Sequence, residues 1–322
     1  MTIPVSVITG FLGSGKTTLL NRLLRHPAMR GAAVIVNEFG EIGIDHLLVE
    51  AAIEDAVLLR SGCICCTVRG DLVDTLGSLG ERRARGALPW FDRVMVETTG
   101  LADPAPILQT LMRDPALTAD YRLGTVVTTA DAVNAPGQLD DFDEAVKQVA
   151  LADRLVVTKT DLAGAGATDA LIGRLRALNP AAPLLRLPDQ PVEPAALFDT
   201  PGGARDLARW LGAPDHPAHD AAIHSFCLTR DAPLPWPSVK AWLESVISLR
   251  GADLLRLKGI VNAAGEDRPI VVHGVQHVFH PPTRLPAWPD ADRRTRLVFI
   301  TRHINQAPLE AALDAFIARD AG

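Results

Sequence analysis

The sequence predicts an α/β chain, in which a mostly parallel sheet is followed by a smaller α+β domain. Strand-like and helix-like patterns alternate over roughly the first 187 residues. Residues 188–222 are instead rich in Pro, Gly, Ala, Asp and His, and a second set of strand and helix patterns follows them. The length of 322 residues, with 48% hydrophobic residues, is enough for two hydrophobic cores.

Alternating strands and helices favour a parallel sheet with helices on both faces. The predicted strands are Ile3–Thr9, Ala32–Asn37, Ala56–Arg60, Arg93–Glu97, Arg122–Thr128, Leu155–Thr158 and Pro183–Leu187. The predicted helices are Lys16–Arg25, Val68–Arg85, Ala105–Arg113, Asp143–Ala152 and Ala167–Leu178. Pro27 gives a clear end to the first helix.

The second domain is predicted to begin after a linker. We place the first domain at residues 1–198, the linker at 199–222 and the α+β domain at 223–322. The predicted strands of this last part are Ile223–Thr229, Leu254–Asn262, Ile270–Phe279 and Leu297–Thr301. Its predicted helices are Ser238–Leu249 and Leu309–Arg319.

Charge and composition exclude several classes of protein. The formal net charge of −6 argues against a general nucleic-acid binder, which is normally basic. No apolar run reaches about 18 residues, so we expect no transmembrane helix and no membrane partner. Met1 leads directly into a predicted strand, so we expect no signal peptide. Four cysteines in a long chain do not suggest a disulfide framework, which favours a cytoplasmic location.

Residues 10–17 carry a phosphate-binding motif. The run from Gly10 to Thr17 matches G-x-x-x-x-G-K-[ST], with a predicted strand before it and a helix after it. Glycines allow the backbone N–H groups to surround phosphate oxygens, Lys16 reaches the β- and γ-phosphates, and the Thr17 hydroxyl binds Mg²⁺. The first domain is therefore a P-loop NTPase. Its expected phosphate-site residues are Gly10, Gly13, Ser14, Gly15, Lys16, Thr17 and Thr18.

A second motif, Thr158-Lys159-Thr160-Asp161, indicates the base. A carboxylate at Asp161 can accept two hydrogen bonds from guanine, a pair that adenine does not offer, so we expect GTP as the nucleotide. Lys159 is expected to pack its stem along the base. The usual GTPase pattern has Asn at the position of Thr158, which leaves open whether the bracing contact of that Asn is kept.

The third nucleotide motif is Glu97-Thr-Thr-Gly100, at the end of a predicted strand. In most GTPases an Asp here holds a water bound to Mg²⁺, and the Gly N–H contacts the γ-phosphate. Glu97 is one methylene longer, which still allows contact through water. Lys16, Thr17, Glu97 and Gly100 are the expected catalytic residues, and slow intrinsic hydrolysis is expected because no Gln follows Gly100.

Three of the four cysteines, Cys63, Cys65 and Cys66, lie within four residues. Adjacent cysteines form a disulfide only with strain, whereas thiolates on one loop can converge on a soft metal ion such as Zn²⁺. Three ligands leave the fourth position of the metal open, which suits an exchangeable ion. Metal binding is the favoured interpretation, and redox chemistry and simple packing are the alternatives.

The histidines and the fourth cysteine are less informative. His273, His277 and His280 fall in one predicted strand, in which the first two would share a face. A metal relay is conceivable there, but exposed or paired strand histidines are commoner. Cys227 lies in a strand pattern and is expected to be a packed core thiol.

Together these motifs, with the loop Asn37–Asp45, resemble the CobW-type GTPases, which are cytoplasmic metal-handling proteins. The resemblance extends over nearly the whole chain. It implies a nucleotide domain with a C-terminal α+β domain, GTP hydrolysis, and delivery of Zn²⁺ or Co²⁺ to client proteins. Cys63, Cys65 and Cys66 correspond to the C-x-C-C element of this family.

The resulting hypothesis is a GTP-dependent metallochaperone that uses GTP, Mg²⁺ and Zn²⁺ or Co²⁺. Its expected partners are guanine nucleotide and a client metalloprotein, and the oligomeric state is left open, a homodimer included. One alternative is a kinase-like P-loop enzyme with structural cysteines. Another is a regulatory GTPase that carries no metal.

Overall fold

The computed structural model describes residues 2–36, 57–60, 68–188, 192–198 and 223–320. Its contacts divide the chain into two compact units. The first comprises Met1–Ile172 with Pro183–Pro201, and the second comprises Gly173–Ala182 with Gly202–Gly322. Among the described residues, no helix is both long and apolar enough to cross a membrane.

The first unit contains a seven-stranded sheet, in which every strand pairing is parallel. Its order is β3-β2-β4-β1-β5-β6-β7. The strands are β1 (Ile3–Gly10), β2 (Ala32–Val36), β3 (Val57–Arg60), β4 (Arg93–Glu97), β5 (Tyr121–Asp131), β6 (Arg154–Thr158) and β7 (Leu184–Arg186). All seven strand predictions are therefore confirmed in position.

Helices connect these parallel strands. They are α1 (Lys16–Leu24), α2 (Val68–Ala84), α3 (Ala105–Arg113), α4 (Pro115–Thr118), α5 (Ala135–Asp141), α6 (Asp143–Ala150), α7 (Thr160–Ala163), α8 (Ala165–Leu178) and α9 (Pro194–Phe198), with a 3-10 turn at Pro27–Met29. Four short helices, α4, α5, α7 and α9, were not predicted from the sequence. Proline lies in the first turn of α4 and of α5, a position that suits the start of a helix.

One core of this unit lies between the sheet and α1. Leu19, Leu20 and Leu23 of α1 are buried against apolar strand residues such as Ile8 and Val127. Their i, i+1, i+4 spacing makes one stripe of the helix apolar, and that stripe is the side that faces the sheet. This packing fixes the start of α1, and therefore the loop that precedes it.

The second unit contains a six-stranded antiparallel sheet. Its strands are β8 (Ile223–Arg230), β9 (Leu254–Val261), β10 (Ile270–Val275), β11 (Val278–Phe279), β12 (Thr283–Arg284) and β13 (Thr295–Arg302), and its helices are α10 (Trp236–Arg250) and α11 (Gln306–Asp320). The main core joins Trp242 and Leu313 of the helices to Leu257 and Phe299 of the sheet.

The prediction of one strand over Ile270–Phe279 was wrong. The segment is a hairpin, in which Val275 of β10 pairs with Val278 of β11 around Gln276, whose φ is +49°. This two-residue turn has a positive φ at its first residue, a position usually taken by Gly, and Gln gives no sequence signal for it. The turn removes the basis for a shared face of the strand histidines.

Candidate functional site

The phosphate loop joins β1 to α1 and adopts a conformation that needs glycine. Gly10 has a φ of +140°, and a Cβ atom there would lie 2.5 Å from the Thr129 carbonyl oxygen. Gly15 has a φ of +91° and caps the N-terminus of α1. A side chain at either position would be strained, so both glycines serve the loop itself.

Lys16 is held inside this loop. Its Nζ donates hydrogen bonds to the carbonyl oxygens of Gly10 at 3.0 Å and Phe11 at 3.1 Å, and only 9% of the residue is exposed. A lysine that lies over the loop in this way meets any phosphate that enters it. Thr18, in the first turn of α1, is exposed.

Ser14 ties the loop to the neighbouring strand. Its hydroxyl hydrogen-bonds with the hydroxyl of Thr129 at 2.7 Å, and Ser14 is fully buried. Thr129 lies two residues before the end of β5 at Asp131, and one residue beyond the predicted end of that strand at Thr128. Its contact with the loop was therefore not predicted, although the run Thr128-Thr129-Ala130-Asp131 continues strand β5.

Thr17 and Glu97 meet at the end of the sheet. The Thr17 hydroxyl donates a hydrogen bond of 2.6 Å to Oε1 of Glu97, and 4% of Glu97 is exposed. Pairing of β1 with β4 sets Ile8 beside Glu97, which fixes the height of the carboxylate relative to the loop. A hydroxyl and a carboxylate are hard oxygen ligands, so this donor set fits Mg²⁺.

The segment that follows Glu97 packs on the phosphate loop and is anchored by α6. A Cβ atom on Gly100 would lie 2.6 Å from the backbone nitrogen of Leu12. The buried Gln148 amide donates to the carbonyl oxygens of Gly100 at 3.1 Å and Ala102 at 3.0 Å. Nothing in the sequence alone marks Gln148 as part of the site.

Lys147 adds an ion pair to the same anchor. Its Nζ lies 2.9 Å from Oδ2 of Asp103, three residues beyond Gly100. Both side chains are about one quarter exposed, at 24% and 27%. Two consecutive residues of α6, Lys147 and Gln148, therefore hold the loop after β4 in place.

Thr158 braces the phosphate loop although it replaces the usual Asn. Its hydroxyl donates a hydrogen bond of 2.8 Å to the carbonyl oxygen of Ser14. The β-branched side chain is 8% exposed and lies against Gly15. The bracing contact that the sequence left open is therefore made, by a shorter side chain.

Lys159 follows Thr158 in a left-handed conformation, with φ of +57° and ψ of +31°. Its Nζ lies 2.6 Å from Oδ2 of the buried Asp131. Asp161 is exposed in the first turn of α7, where its carboxylate is accessible to a ligand. Thr160 fastens this turn by donating to the Leu187 carbonyl oxygen at 2.8 Å.

The proposed thiol ligands, Cys63, Cys65 and Cys66, lie outside the described residues, as does the loop Asn37–Asp45. The elements that bracket the cysteines are described. β3 ends at Arg60 and α2 begins at Val68. The parallel register aligns Arg60 with Val36 of β2 and Val36 with Glu97. The backbone that enters the cysteine segment thus starts two strands, or about 10 Å, from Glu97.

Within the described ranges, no group of three or more His, Cys, Asp or Glu side chains could hold a metal ion. His273 and His280 are adjacent across the hairpin, with ring centroids 6.3 Å apart, and His277 is exposed on the turn. Cys227 is half-buried beside the apolar cluster of Ile260, Val271 and Val298, in agreement with a packed thiol.

Sequence comparison identifies the family. The profile described as CobW/HypB/UreG, nucleotide-binding domain, matches residues 4–186. The chain belongs to the CobW/HypB/UreG family. The profile described as cobalamin synthesis protein cobW C-terminal domain matches residues 223–317. The family resemblance inferred from the motifs is therefore confirmed, and with it the P-loop fold followed by a smaller domain.

Relatives of this family member match over almost their full length. The zinc chaperone YjiA of Escherichia coli is 34% identical over 313 residues, which are 96% of this chain and 97% of YjiA. A zinc chaperone CobW of Sinorhizobium is 30% identical, with 98% and 97% covered. The crystal structure of Zn(II)-bound YjiA GTPase from E. coli superimposes with a TM-score of 0.78 at 28% identity, covering 98% of this chain and 99% of that one.

Proposed function

We propose that this chain is a GTP-hydrolysing zinc metallochaperone. The observation that carries the proposal is the cluster of nucleotide-binding features at one end of the parallel sheet. There the phosphate loop contacts Thr158 through the Ser14 carbonyl oxygen, and Thr17 contacts Glu97. The names of the relatives, zinc chaperone YjiA and zinc chaperone CobW, and the Zn(II)-bound YjiA GTPase structure support the activity and the metal.

The nucleotide would be bound by residues of three loops. Backbone N–H groups of the phosphate loop and the Lys16 ammonium would hold the phosphates. Thr17 and Glu97 would hold Mg²⁺, which neutralises phosphate charge when it is bound. The proposed phosphate-site residues are Gly10, Gly13, Ser14, Gly15, Lys16, Thr17 and Thr18.

The guanine base would be selected by the loop after β6. Asp161 would accept hydrogen bonds from the base edge, and Lys159 would pack against the ring. Leu101 follows Gly100, where no amide side chain is present to orient an attacking water. We therefore propose slow hydrolysis in the absence of another factor.

Zinc is the proposed cargo, and Cys63, Cys65 and Cys66 are its proposed ligands. Thiolates favour Zn²⁺ over harder ions, and Co²⁺ is the second candidate. The end of β3 lies on the same sheet edge as Glu97, which supports coupling between the metal segment and the nucleotide. Such coupling is reciprocal, so zinc must change the affinity for GTP by the factor by which GTP changes the affinity for zinc.

The remaining assignments belong to the same proposal. The client is a metalloprotein that receives zinc in the cytoplasm, and a homodimer is compatible with this role. The domain limits are proposed at residues 1–198 and 223–322, with a linker between them. The two matched family profiles, at 4–186 and 223–317, support those limits.

The nucleotide part is tested by phosphate release from GTP and ATP by the full chain. We expect hydrolysis of GTP, a strong preference for GTP over ATP, and loss of that preference in Asp161→Asn. Equal use of both nucleotides by the wild type would contradict the proposal and favour a kinase-like enzyme. A preference that Asp161→Asn leaves intact would move base recognition to other residues.

The metal part is tested by zinc titration against a chromophoric chelator under reducing conditions. A variant with Cys63, Cys65 and Cys66 replaced by Ser should lose tight zinc binding. Cys227→Ser is the matched control, because its thiol packs against apolar side chains and should not contribute. Wild-type zinc affinity in the triple variant would contradict the assignment of the ligands.

A further inference from the structure

Asp131 is a buried carboxylate that lies outside the three nucleotide motifs. It is the last residue of β5 and is paired in register with Thr158 at the end of β6. Its side chain has no exposed surface. A charged group in such a place is stable only if hydrogen bonds replace the water that it has lost.

Four donors satisfy this carboxylate. Oδ1 accepts from the backbone N–H groups of Val133 at 2.8 Å and Asn134 at 3.4 Å. Oδ2 accepts from Nδ2 of Asn134 at 2.8 Å and from Nζ of Lys159 at 2.6 Å. Burial raises the pKa of Asp131, but the hydrogen bonds from Lys159, Asn134 and Val133 outweigh it, so the pKa is lowered and the group is ionised.

Lys159 is constrained at both ends. Its backbone has a positive φ, which is unfavourable for a non-glycine residue and persists only when the surrounding structure imposes it. Its ammonium is fixed by Asp131, although 36% of the side chain is exposed. A free lysine side chain would lose much of its conformational entropy on being ordered by a ligand. Here that ordering is complete before a ligand arrives.

We infer that Asp131 is a positioning residue for the nucleobase. It holds Lys159 so that the methylene stem of the lysine forms one side of the base-binding site. This inference rests on the proposed function, in which the loop Thr158–Asp161 binds guanine. Affinity and specificity for the base are then determined by different residues. Asp131 and Lys159 set the affinity for the flat ring, and Asp161 sets the preference for guanine.

The test measures binding of GDP, IDP and inorganic pyrophosphate to the full chain by calorimetry. IDP lacks the 2-amino group of guanine, and pyrophosphate lacks a base. The variants are Asp131→Asn, Lys159→Met, their double variant and Asp161→Asn. The matched control is Asp169→Asn, which breaks an ion pair with Arg186, a cation whose side chain is also 36% exposed.

We expect Asp131→Asn and Lys159→Met each to weaken GDP binding by about tenfold, and the double variant to be no weaker than either. Pyrophosphate binding and the ratio of GDP to IDP affinity should be unchanged in all three. Asp161→Asn should reduce that ratio, and Asp169→Asn should change nothing. If Asp131→Asn does not fold, Asp131→Glu replaces it, because it keeps the charge but shifts it by one methylene.

The outcomes distinguish failure of the proposed guanine site from failure of the positioning role of Asp131. If Lys159→Met binds GDP like the wild type, its ammonium is not needed to place the stem and the positioning role fails. If Asp161→Asn leaves the ratio of GDP to IDP affinity unchanged, the guanine site itself is misplaced and the proposed function fails at this loop. If Lys159→Met weakens GDP binding but Asp131→Asn does not, only the positioning role fails. Multiplicative losses in the double variant, or an equal loss for pyrophosphate, would also overturn the positioning role, because Asp131 would then act on the fold rather than through Lys159.

Discussion

Replacement of Thr158 by Val tests the brace under the phosphate loop. The two side chains have nearly the same shape, so the change mainly removes the hydroxyl that donates to the Ser14 carbonyl oxygen at 2.8 Å. That carbonyl is buried with the loop, and an unsatisfied buried acceptor costs about 1–3 kcal/mol. We expect the free energy of unfolding to fall by about 2 kcal/mol in this range.

The loop should also lose affinity for nucleotide. If about half of this loss, about 1 kcal/mol, also weakens the complex with nucleotide, GDP affinity falls about fivefold, since 1.4 kcal/mol is a factor of ten. Urea unfolding measures the stability, and displacement of a fluorescent GDP analogue measures the affinity.

Thr301→Val is the matched control for this experiment. The buried Thr301 hydroxyl donates to the Ile304 carbonyl oxygen at 2.7 Å, in the second unit of the chain. It should cost similar stability and leave GDP affinity unchanged. An equal loss of GDP affinity in both variants, or unchanged stability and affinity in Thr158→Val, would refute the role of Thr158 as a brace.

Three further predictions concern the first unit. Gly100→Ala places a Cβ atom 2.6 Å from the Leu12 backbone nitrogen, so the loop must shift. Phosphate release should show GTP hydrolysis reduced at least tenfold, and urea unfolding should show about 1–3 kcal/mol of lost stability. Gln148→Met removes both hydrogen bonds to the loop after Glu97 and should lower the unfolding free energy by about 2 kcal/mol, whereas unchanged urea midpoints would contradict the anchor. Burial raises the pKa of Tyr121 to about 12, so its absorbance at 295 nm should titrate near pH 12 in folded protein, and a midpoint near pH 10 with intact circular dichroism would contradict this.

Tyr121 is well suited to that titration because it is the only tyrosine of the chain. Its hydroxyl donates to the Leu76 carbonyl oxygen at 2.9 Å, and the residue is 3% exposed. Since the folded-state pKa is raised, its stabilising contribution is complete below the unfolded pKa of about 10 and declines as the pH rises to 12. Tyr121→Phe should lack this part of the alkaline loss of stability.

The sequence predicted the parallel strands because their apolar runs are unambiguous when both faces of a sheet are covered. It placed the end of β5 at Thr128, three residues early, because polar residues follow. Those residues are Thr129 and Asp131, which contact Ser14 and Lys159. These residues are polar because they form hydrogen bonds in the site. The apolar pattern that predicts a strand is therefore lost at the end of the strand that carries functional residues.

Contacts between residues far apart in the sequence could not be predicted either. Gln148 contacts Gly100 across 48 positions, and no local spacing marks that pair. The hairpin at Gln276 was hidden for a different reason, since its turn uses a residue without turn propensity. The three nucleotide motifs were predictable because each is short and its chemistry requires particular residue types at fixed spacing.

Ser14 is fastened to two adjacent strands at once. Its hydroxyl is tied to Thr129 of β5, and its carbonyl oxygen is tied to Thr158 of β6. A loop fixed from both sides has already lost the conformational freedom that a ligand would otherwise have to remove. Phosphate binding should therefore carry only a small entropic penalty in this loop. Most of the binding free energy of a nucleotide then remains available to order other segments.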